Sequence, residues 1–204
     1  MLRMKRINLE VGAYDVNCSI LALNGQAWIV DPGADAELIV RCLNNEGLVP
    51  TAILLTHGHF DHIGAIPALQ QTFPNLPVYV SAADAHILTH PFNQMPPDYP
   101  AITMPTDVRD ADTLAMPVEM RVIPTPGHTP GGVCYYFPAE KLLLSGDTLF
   151  AGSIGRTDFP GGDMKTMTES LKKLTALPDD VTVVPGHGPM TTIAAEKRGN
   201  PFII

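Results

Sequence analysis

The sequence predicts a mixed α/β (α+β) fold, in which two β-sheets pack on each other and helices cover their outer faces, a four-layer αββα sandwich. Short apolar runs typical of buried strands recur along the whole chain of 204 residues. Strand pairs of the hairpin type occur in both halves, and helical patterns follow them. Recurring hairpins favour stacked sheets over a doubly wound parallel sheet, because parallel strands need long crossover connections. No segment has the composition of a linker, so we expect a single domain over residues 1–204.

Apolar patterns define the elements of the first half. The pair Asn24-Gly25 between two apolar runs is a strong signal for a two-residue hairpin turn. Ile39 and Leu43 lie on one helical face, and Gly47 marks the end of that helix. The expected strands are 4–9, 19–23, 27–30, 51–55 and 77–80, and the expected helices are 36–45, 63–71 and 82–89.

The second half begins after a long irregular segment. Residues 91–106 are rich in proline with aromatic residues between, which is more typical of a loop beside a functional site than of a domain linker. Further on, the patterns of strands and amphipathic helices return. The expected strands are 120–124, 133–137, 141–144 and 181–184, and the expected helices are 163–177 and 192–197.

Charge, cysteine content and the lack of long apolar segments indicate which kinds of partner and compartment to expect. The net charge is −8, and basic residues form no run longer than pairs such as those at residues 172–173 and 197–198, so we expect no nucleic-acid partner. The cysteines Cys18, Cys42 and Cys134 are too far apart to indicate a disulfide framework or a thiolate metal site. The sequence shows neither a membrane span nor a signal peptide, which predicts a cytoplasmic protein with no membrane partner.

A short stretch after the strand predicted at 51–55 carries unusual chemistry. Within six residues it contains three imidazoles and one carboxylate, His57, His59, Asp61 and His62. Neutral imidazole nitrogens and ionised carboxylate oxygens are the usual ligands of zinc and of first-row metals that share its sites. His57 and His59 lie two apart and can point the same way from the strand end, and Gly58 would let the backbone bend between them. The other two side chains would begin the following helix, so the layout indicates two ligand pairs and hence two metals.

Three later residues repeat this arrangement. His128, Asp147 and His187 each stand beside glycine, at the end of a predicted strand or in the loop that follows it. Strand ends of this kind deliver side chains to one edge of a sheet. We therefore expect these three residues to join the metal site.

These motifs resemble those of hydrolases with the metallo-β-lactamase fold. The His-x-His-x-Asp-His stretch at residues 57–62 matches the family's first motif, and the later His, Asp and His follow in the family's order. The similarity extends from residues 17–18 and 31–33 to His187. The resemblance implies the metallo-β-lactamase fold and a centre of two divalent metal ions. It assigns His57, His59 and His128 to one ion, Asp61, His62 and His187 to the other, and Asp147 to both as a bridge.

The same resemblance implies a catalytic mechanism. Asp61 and Asp147 would be the catalytic carboxylates, and a hydroxide bridging the metals would be the nucleophile. Such metals lower the pKa of bound water to about 7, so the hydroxide exists at neutral pH. Zinc is our first expectation for the metal, and the same ligands also accept iron or manganese.

A later segment indicates which branch of this family the sequence resembles. Residues 152–163 are similar to a stretch of glyoxalase II enzymes and their short bacterial relatives, and residues 200–202 also resemble the short proteins. This resemblance implies hydrolysis of a small thioester of the S-lactoylglutathione type. Full-length glyoxalase II enzymes continue after the last metal histidine with a helical domain that binds glutathione. This sequence ends at Ile204, so we expect no such domain, and the thiol carrier stays open.

Other activities of the fold remain as alternatives. Persulfide dioxygenases carry a related Gly-Arg-Thr-Asp, and that alternative would use one iron held by His57, His128 and Asp147. Lactonase, lactamase and nuclease activities are less favoured. A metal-binding scaffold without catalysis is disfavoured because every ligand position is filled.

Two further residues have open roles. Asp31 is interpreted either as an acceptor that orients a ligand histidine or as a turn residue before Pro32. Arg156 is interpreted either as a group that binds a substrate carboxylate or as a partner of Asp158 or Asp163.

Overall fold

Residues 4–203 are described by a computed structural model, so the ends of the predicted domain at residues 1–3 and 204 lie outside the described residues. The chain forms two units that divide between Thr113 and Leu114, and each is built on one larger β-sheet. Among the described residues, no helix has the length and apolar character needed to cross a membrane.

The first unit contains a six-stranded mixed sheet whose strands follow one another in sequence order. The first three strands are antiparallel, and the remaining neighbours are parallel. The strands are β1 Lys5–Val11, β2 Val16–Leu23, β3 Gln26–Val30, β4 Val49–Leu54, β5 Val78–Val80 and β6 Val108–Asp110. The hairpin predicted at Asn24-Gly25 joins β2 to β3, and both of its residues have the positive φ that this turn requires.

Helices pack against this sheet through a common apolar cluster. They are α1 Ala36–Asn45, α2 Phe60–Ile63 and α3 Ile66–Thr72. Ile39 and Leu43 of α1 and Ile66 and Leu69 of α3 are fully buried in the same cluster as the strand side chains. Full burial of one such side chain contributes about 1.5–3 kcal/mol, so this face supplies much of the stability of the unit.

Two predicted helices differ from the structure. The helix expected at 63–71 is split into α2 and α3, because Pro67 lacks the N–H needed for a continuous helix and instead occupies the first turn of α3. The helix expected at 82–89 is replaced by turns and a single 3₁₀ turn, Ile87–Thr89. The Asp84 side chain is fully buried there, so a tertiary requirement overrides local helix propensity.

The strands of the second unit are β7 Arg121–Pro124, β8 Val133–Phe137, β9 Leu142–Gly146, β10 Leu149–Phe150, β11 Ser153–Ile154, β12 Thr182–Pro185 and β13 Thr191–Thr192. They form a five-stranded sheet in the order β13-β12-β9-β8-β7 and a two-stranded ribbon of β10 and β11. β9 and β12 are parallel neighbours, so their carboxyl ends lie at the same sheet edge. The other pairings in the sheet are antiparallel.

The helices of this unit are α4 Met164–Thr175 and α5 Ile193–Gly199. α4 buries Met167, Leu171 and Leu174 in a cluster that includes strand residues of β8 and β9. Its amino end is capped by Asp163, whose Oδ1 accepts a hydrogen bond from Thr166 N at 2.7 Å. Such a cap contributes about 1 kcal/mol and explains why the helix begins at this point.

Candidate metal centre

The first ligand group follows β4 directly. The buried strand ends at Leu54, and the chain then passes through His57 and His59 into α2. The two imidazole rings are 4.9 Å apart between centroids, and a ring nitrogen of each lies within 4.8 Å of the other. The sequence-based expectation that these two side chains come together is confirmed within this unit.

Asp61 and His62 lie on α2, in the first turn after the strand. Asp61 Oδ2 is 3.8 Å from His62 Nε2, and the His62 ring is 4.2 Å from the His57 ring between centroids. All four side chains of this group are buried. Because α2 begins immediately at Phe60, one short turn delivers a carboxylate and an imidazole beside the pair from the strand end.

Asp31 directly follows β3, the strand that pairs with β4 in parallel, and it contacts this ligand group. Its Oδ1 accepts a hydrogen bond from Thr56 N at 2.8 Å, and its Oδ2 accepts one from Thr56 Oγ1 at 2.7 Å. The same Oδ2 lies 3.2 Å from His62 Nδ1. Asp31 also has a positive φ of 51°, which is typical of a turn residue. Both interpretations drawn from the sequence, a turn residue and an acceptor near a histidine, therefore describe this residue. Its effect on metal binding stays a prediction.

These contacts assign the proton of each ring. Thr56 Oγ1 gives its hydrogen to Asp31, so at 3.1 Å from His57 Nδ1 it accepts the hydrogen of that nitrogen. Asp31 Oδ2 lies 3.2 Å from His62 Nδ1 without the alignment of a hydrogen bond, and its negative charge favours a proton on that nitrogen. In a neutral imidazole only one nitrogen carries a hydrogen, so Nε2 of both rings keeps a lone pair for a metal ion.

The second ligand group is assembled from three separate segments. His128 lies in the loop between β7 and β8, Asp147 follows β9, and His187 follows β12. Asp147 Oδ2 is 3.5 Å from His128 Nε2 and 3.6 Å from His187 Nε2. One carboxylate oxygen therefore has an imidazole nitrogen on each side, as expected from the parallel ends of β9 and β12.

A backbone carbonyl sets the tautomer of His128. Its Nδ1 is 2.7 Å from the carbonyl oxygen of Arg156, and a carbonyl can only accept a hydrogen bond. Nδ1 therefore carries the proton, and Nε2 keeps its lone pair. No sequence signal pointed to this contact, because every residue type offers the same carbonyl group.

The Arg156 side chain is engaged with its neighbours. Its Nε and Nη2 donate to the two oxygens of Asp158, each at 2.7 Å, and the guanidinium lies 3.7 Å from the centroid of the Phe159 ring. The hydrogen bonds from Arg156 lower the pKa of Asp158 to about 2. The pairing with Asp158 is confirmed, whereas Asp163 caps α4 instead. Contact of Arg156 with a substrate stays a prediction.

The donor chemistry of both groups fits divalent metals. Each group combines buried imidazole nitrogen with a largely buried carboxylate oxygen, which zinc, iron and manganese all accept. The Arg156 carbonyl at His128 Nδ1 and the Asp31 carboxylate near His62 Nδ1 are groups of the kind that ligand histidines almost always have.

Comparison with known families agrees with this chemistry. The model of the metallo-beta-lactamase superfamily matches residues 11–187, which is most of the chain and contains both ligand groups. The chain belongs to this superfamily. The mixed α/β architecture expected from the sequence is therefore confirmed as the metallo-β-lactamase fold.

Individual relatives of this superfamily match over nearly the whole chain. The hydroxyacylglutathione hydrolase GloC of Haemophilus influenzae is 35% identical, with 96% of each chain covered. The crystal structure of the BLEG-1 B3 metallo-beta-lactamase is 39% identical with a TM-score of 0.89, covering 98% of this chain and 99% of that one. TTHA1623 in a di-iron-bound form is 35% identical with a TM-score of 0.81, covering 97% of this chain and all of that one, 100%. Membership and the two ligand groups support divalent metal binding, and the identity of the metal and the assignment of each ligand stay predictions.

Proposed function

We propose that this metallo-β-lactamase-fold protein is a dinuclear metal-dependent hydrolase of small thioesters of the S-lactoylglutathione type. The observation that carries the hydrolytic part is the complete set of ligand types, with the ring protons of His57 and His128 placed on Nδ1 by their hydrogen bonds. The choice of a thioester as substrate is supported by the relative named as a hydroxyacylglutathione hydrolase, which matches over 96% of both chains.

In this proposal the seven ligand residues hold two divalent ions. Such a pair of ions supplies positive charge that polarises a thioester carbonyl and lowers the pKa of water toward neutrality. Zinc is the first choice, and the di-iron form of TTHA1623 keeps iron as a second. The first ion would be held by His57, His59 and His128, the second by Asp61, His62 and His187, and Asp147 would serve both.

The protein's own side chains then orient the reactants. Asp147 already holds one oxygen near two imidazole nitrogens, which is the position that a shared carboxylate needs. Asp61 is largely buried beside His62, and a carboxylate oxygen there would accept a hydrogen bond from the attacking water. Departure of a thiolate needs little protonation, because the pKa of a thiol is about 8.5.

Replacement of Asp147 by alanine tests this proposal. We expect Asp147→Ala to lose bound metal together with S-lactoylglutathione hydrolysis, because the shared carboxylate is removed. The measurement is metal content by elemental analysis beside thioester hydrolysis. Asp180→Ala is the matched control, because this aspartate only pairs with Lys141 at the surface, and it should keep both properties.

The outcome also decides between the proposed function and its main alternative. A variant Asp147→Ala that retains metal and turnover would contradict the shared-ligand role. One iron per chain in the wild-type protein, with oxygen uptake on glutathione persulfide and no thioester hydrolysis, would contradict the proposed function and favour the persulfide dioxygenase.

A further inference from the structure

Two buried side chains outside the ligand set hold the peptide groups between His57 and His59. Asp84 Oδ2 accepts a hydrogen bond from Gly58 N at 3.1 Å. Asn93 Nδ2 donates a hydrogen bond to Gly58 O at 2.7 Å. Asp84 is 0% exposed and Asn93 is 3% exposed, so water does not compete strongly for either contact.

The two contacts act on different peptide planes. The N–H of Gly58 belongs to the peptide that joins it to His57, whereas its carbonyl belongs to the peptide that joins it to His59. Peptide groups are planar, so fixing one polar atom of each plane restricts the rotation of both. Together, Asp84 and Asn93 restrict the backbone that aims the two imidazoles.

Gly58, the residue between His57 and His59, lies close to the backbone of the segment that carries Asp84. A Cβ at Gly58 would lie 3.1 Å from the Asp84 carbonyl oxygen and 3.2 Å from Ile87 Cβ. Gly58 does not have a positive φ, so the bend expected from the sequence is not the reason for glycine here. The reason is the approach of the segment that carries Asp84, which a side chain would push away.

The segment that carries the two side chains is itself held in place. Asn93 Nδ2 also donates to Ile87 O at 2.9 Å, and Ile87 N donates to Asp84 O at 2.8 Å. Asp84 N donates in turn to Ser81 O at 2.9 Å. These bonds explain why residues 82–89 form turns: a regular helix there would not keep this set of contacts to Gly58.

We propose that Asp84 and Asn93 are positioning residues that set the relative aim of His57 and His59 and thereby the affinity of the metal ion that these histidines share. The proposal rests on the metal-binding part of the proposed function and is independent of the substrate. A ligand pair must be held close to its productive geometry by supporting contacts, and a buried hydrogen bond to a carboxylate is one of the stronger contacts available.

Stepwise titration of the metal-free full chain with Zn²⁺, in competition with a chromophoric chelator, tests the inference. We expect Asp84→Ala and Asn93→Ala each to weaken one of the two binding steps by about 10- to 100-fold, the range found for groups that orient metal ligands. The other step should keep its affinity, because Asp61 and His62 lie on α2 beyond the restrained peptides. Asp84→Asn retains an acceptor oxygen for Gly58 N and should recover most of the lost affinity.

A matched control separates positioning from general stability. Asn200 is a buried asparagine, 5% exposed, whose Nδ2 also donates to backbone carbonyls, those of Ser153 at 2.9 Å and Phe150 at 3.5 Å. Asn200→Ala should lower the thermal midpoint of the metal-free protein to a similar extent as Asn93→Ala, while both Zn²⁺ steps stay at wild-type values. The visible spectrum of the Co²⁺-loaded chain should change in Asn93→Ala and not in Asn200→Ala.

The possible failures are distinct. A wild-type chain that binds two ions, with both steps unchanged in Asp84→Ala and Asn93→Ala, would overturn the inference alone. Equal weakening of both steps in Asn93→Ala and Asn200→Ala would also overturn it, because the effect would then be one of stability. A wild-type chain that binds no metal would overturn the inference together with the proposed function.

Discussion

The two ligand groups of this protein are built in different ways. In the first unit, the four predicted ligands come from one stretch of six residues, and the side chains of Asp31, Thr56 and Asp84 make hydrogen bonds within or next to that stretch. In the second unit, the three predicted ligands come from three segments that are far apart in sequence, and the group that contacts His128 Nδ1 is a backbone carbonyl. The first group is encoded locally, whereas the second depends on strand order.

This difference determines which substitutions matter. A group supported by side chains can be weakened by changing those side chains, while the backbone stays in place. A group supported by the backbone is insensitive to such changes and depends on how closely two stretches of chain approach each other. Both units nevertheless share one feature, a glycine packed against the backbone of an aspartate that is a predicted metal ligand.

The largest effect is expected from those two glycines. A Cβ at Gly33 would lie 1.6 Å from the Asp61 carbonyl oxygen, and one at Gly155 would lie 1.8 Å from the Asp147 carbonyl oxygen. Gly33→Ala and Gly155→Ala should each lower the free energy of unfolding by about 1–3 kcal/mol or more, because backbone atoms must shift. Each should also lose tightly bound Zn²⁺. Urea unfolding and zinc content measure the two effects.

Gly199→Ala is the control for both glycine variants. Within residues 4–203, and apart from its chain neighbours and its own helix backbone, no atom lies within 4 Å of a Cβ at Gly199, so this variant should keep wild-type stability and zinc content. If Gly155→Ala retained full zinc content while Gly33→Ala lost it, the close approach in the second unit would not be what positions Asp147, and the shared feature of the two groups would be lost.

The sequence predicted the first group well because its information is local. The spacing of His57, His59 and His62 is enough to indicate a metal site, whatever the rest of the chain does. The second group was predicted only as three residues at strand ends, because the parallel pairing of β9 with β12 cannot be read from either strand alone. Strands such as β10 and β13 have two residues each and leave no periodic pattern to detect.

Contacts that support the ligands were harder to predict than the ligands. Asp84 lies in a segment whose composition predicts a helix, and its inward position results from contact with Gly58, which is distant in sequence. The Arg156 carbonyl has no sequence signal at all. Residue type therefore indicates candidate metal ligands, whereas tertiary contacts determine which residues orient them.

An intermediate effect is expected from the supporting side chain Asp31. Asp31→Asn keeps a residue type that tolerates the positive φ at this position, but it replaces the carboxylate that faces Thr56 and His62. The affinity for Zn²⁺ should fall about 10- to 100-fold, because His62 loses the negative charge beside its Nδ1 and Thr56 loses the carboxylate that orients its hydroxyl toward His57. Competition with a chelator measures the affinity.

The matched change in the second unit is Arg156→Ala. The carbonyl that accepts from His128 Nδ1 remains after this substitution, so Zn²⁺ affinity should stay at the wild-type value. A rise in KM for S-lactoylglutathione with unchanged metal content would support the predicted substrate contact of Arg156. Loss of metal in Arg156→Ala would contradict the distinction between side-chain and backbone support.

The smallest effect on stability is expected at the surface, where each unit contains one arginine–aspartate pair of the same kind. In the first unit Arg109 donates two hydrogen bonds to Asp107, and in the second unit Arg156 does the same to Asp158. These bonds lower the pKa of both carboxyls, that of Asp158 to about 2. A carboxyl with a lowered folded-state pKa stabilises the fold above its unfolded pKa of about 3.9, and that contribution is lost as the pH falls toward the folded value.

The pH dependence of stability tests both surface pairs, and its response to added salt distinguishes them. Asp158→Asn should lower the urea midpoint at pH 6 and lower it less at pH 3, where the wild-type pair has already lost part of its contribution. Asp107→Asn should follow the same sign. The Asp158 side chain is 68% exposed and that of Asp107 is 33% exposed, so added salt should reduce the effect of Asp158→Asn more strongly. A difference between Asp158→Asn and wild type that grew from pH 6 to pH 3 would contradict the stabilising pair. Neither variant should alter Zn²⁺ affinity, since neither carboxylate is a predicted ligand.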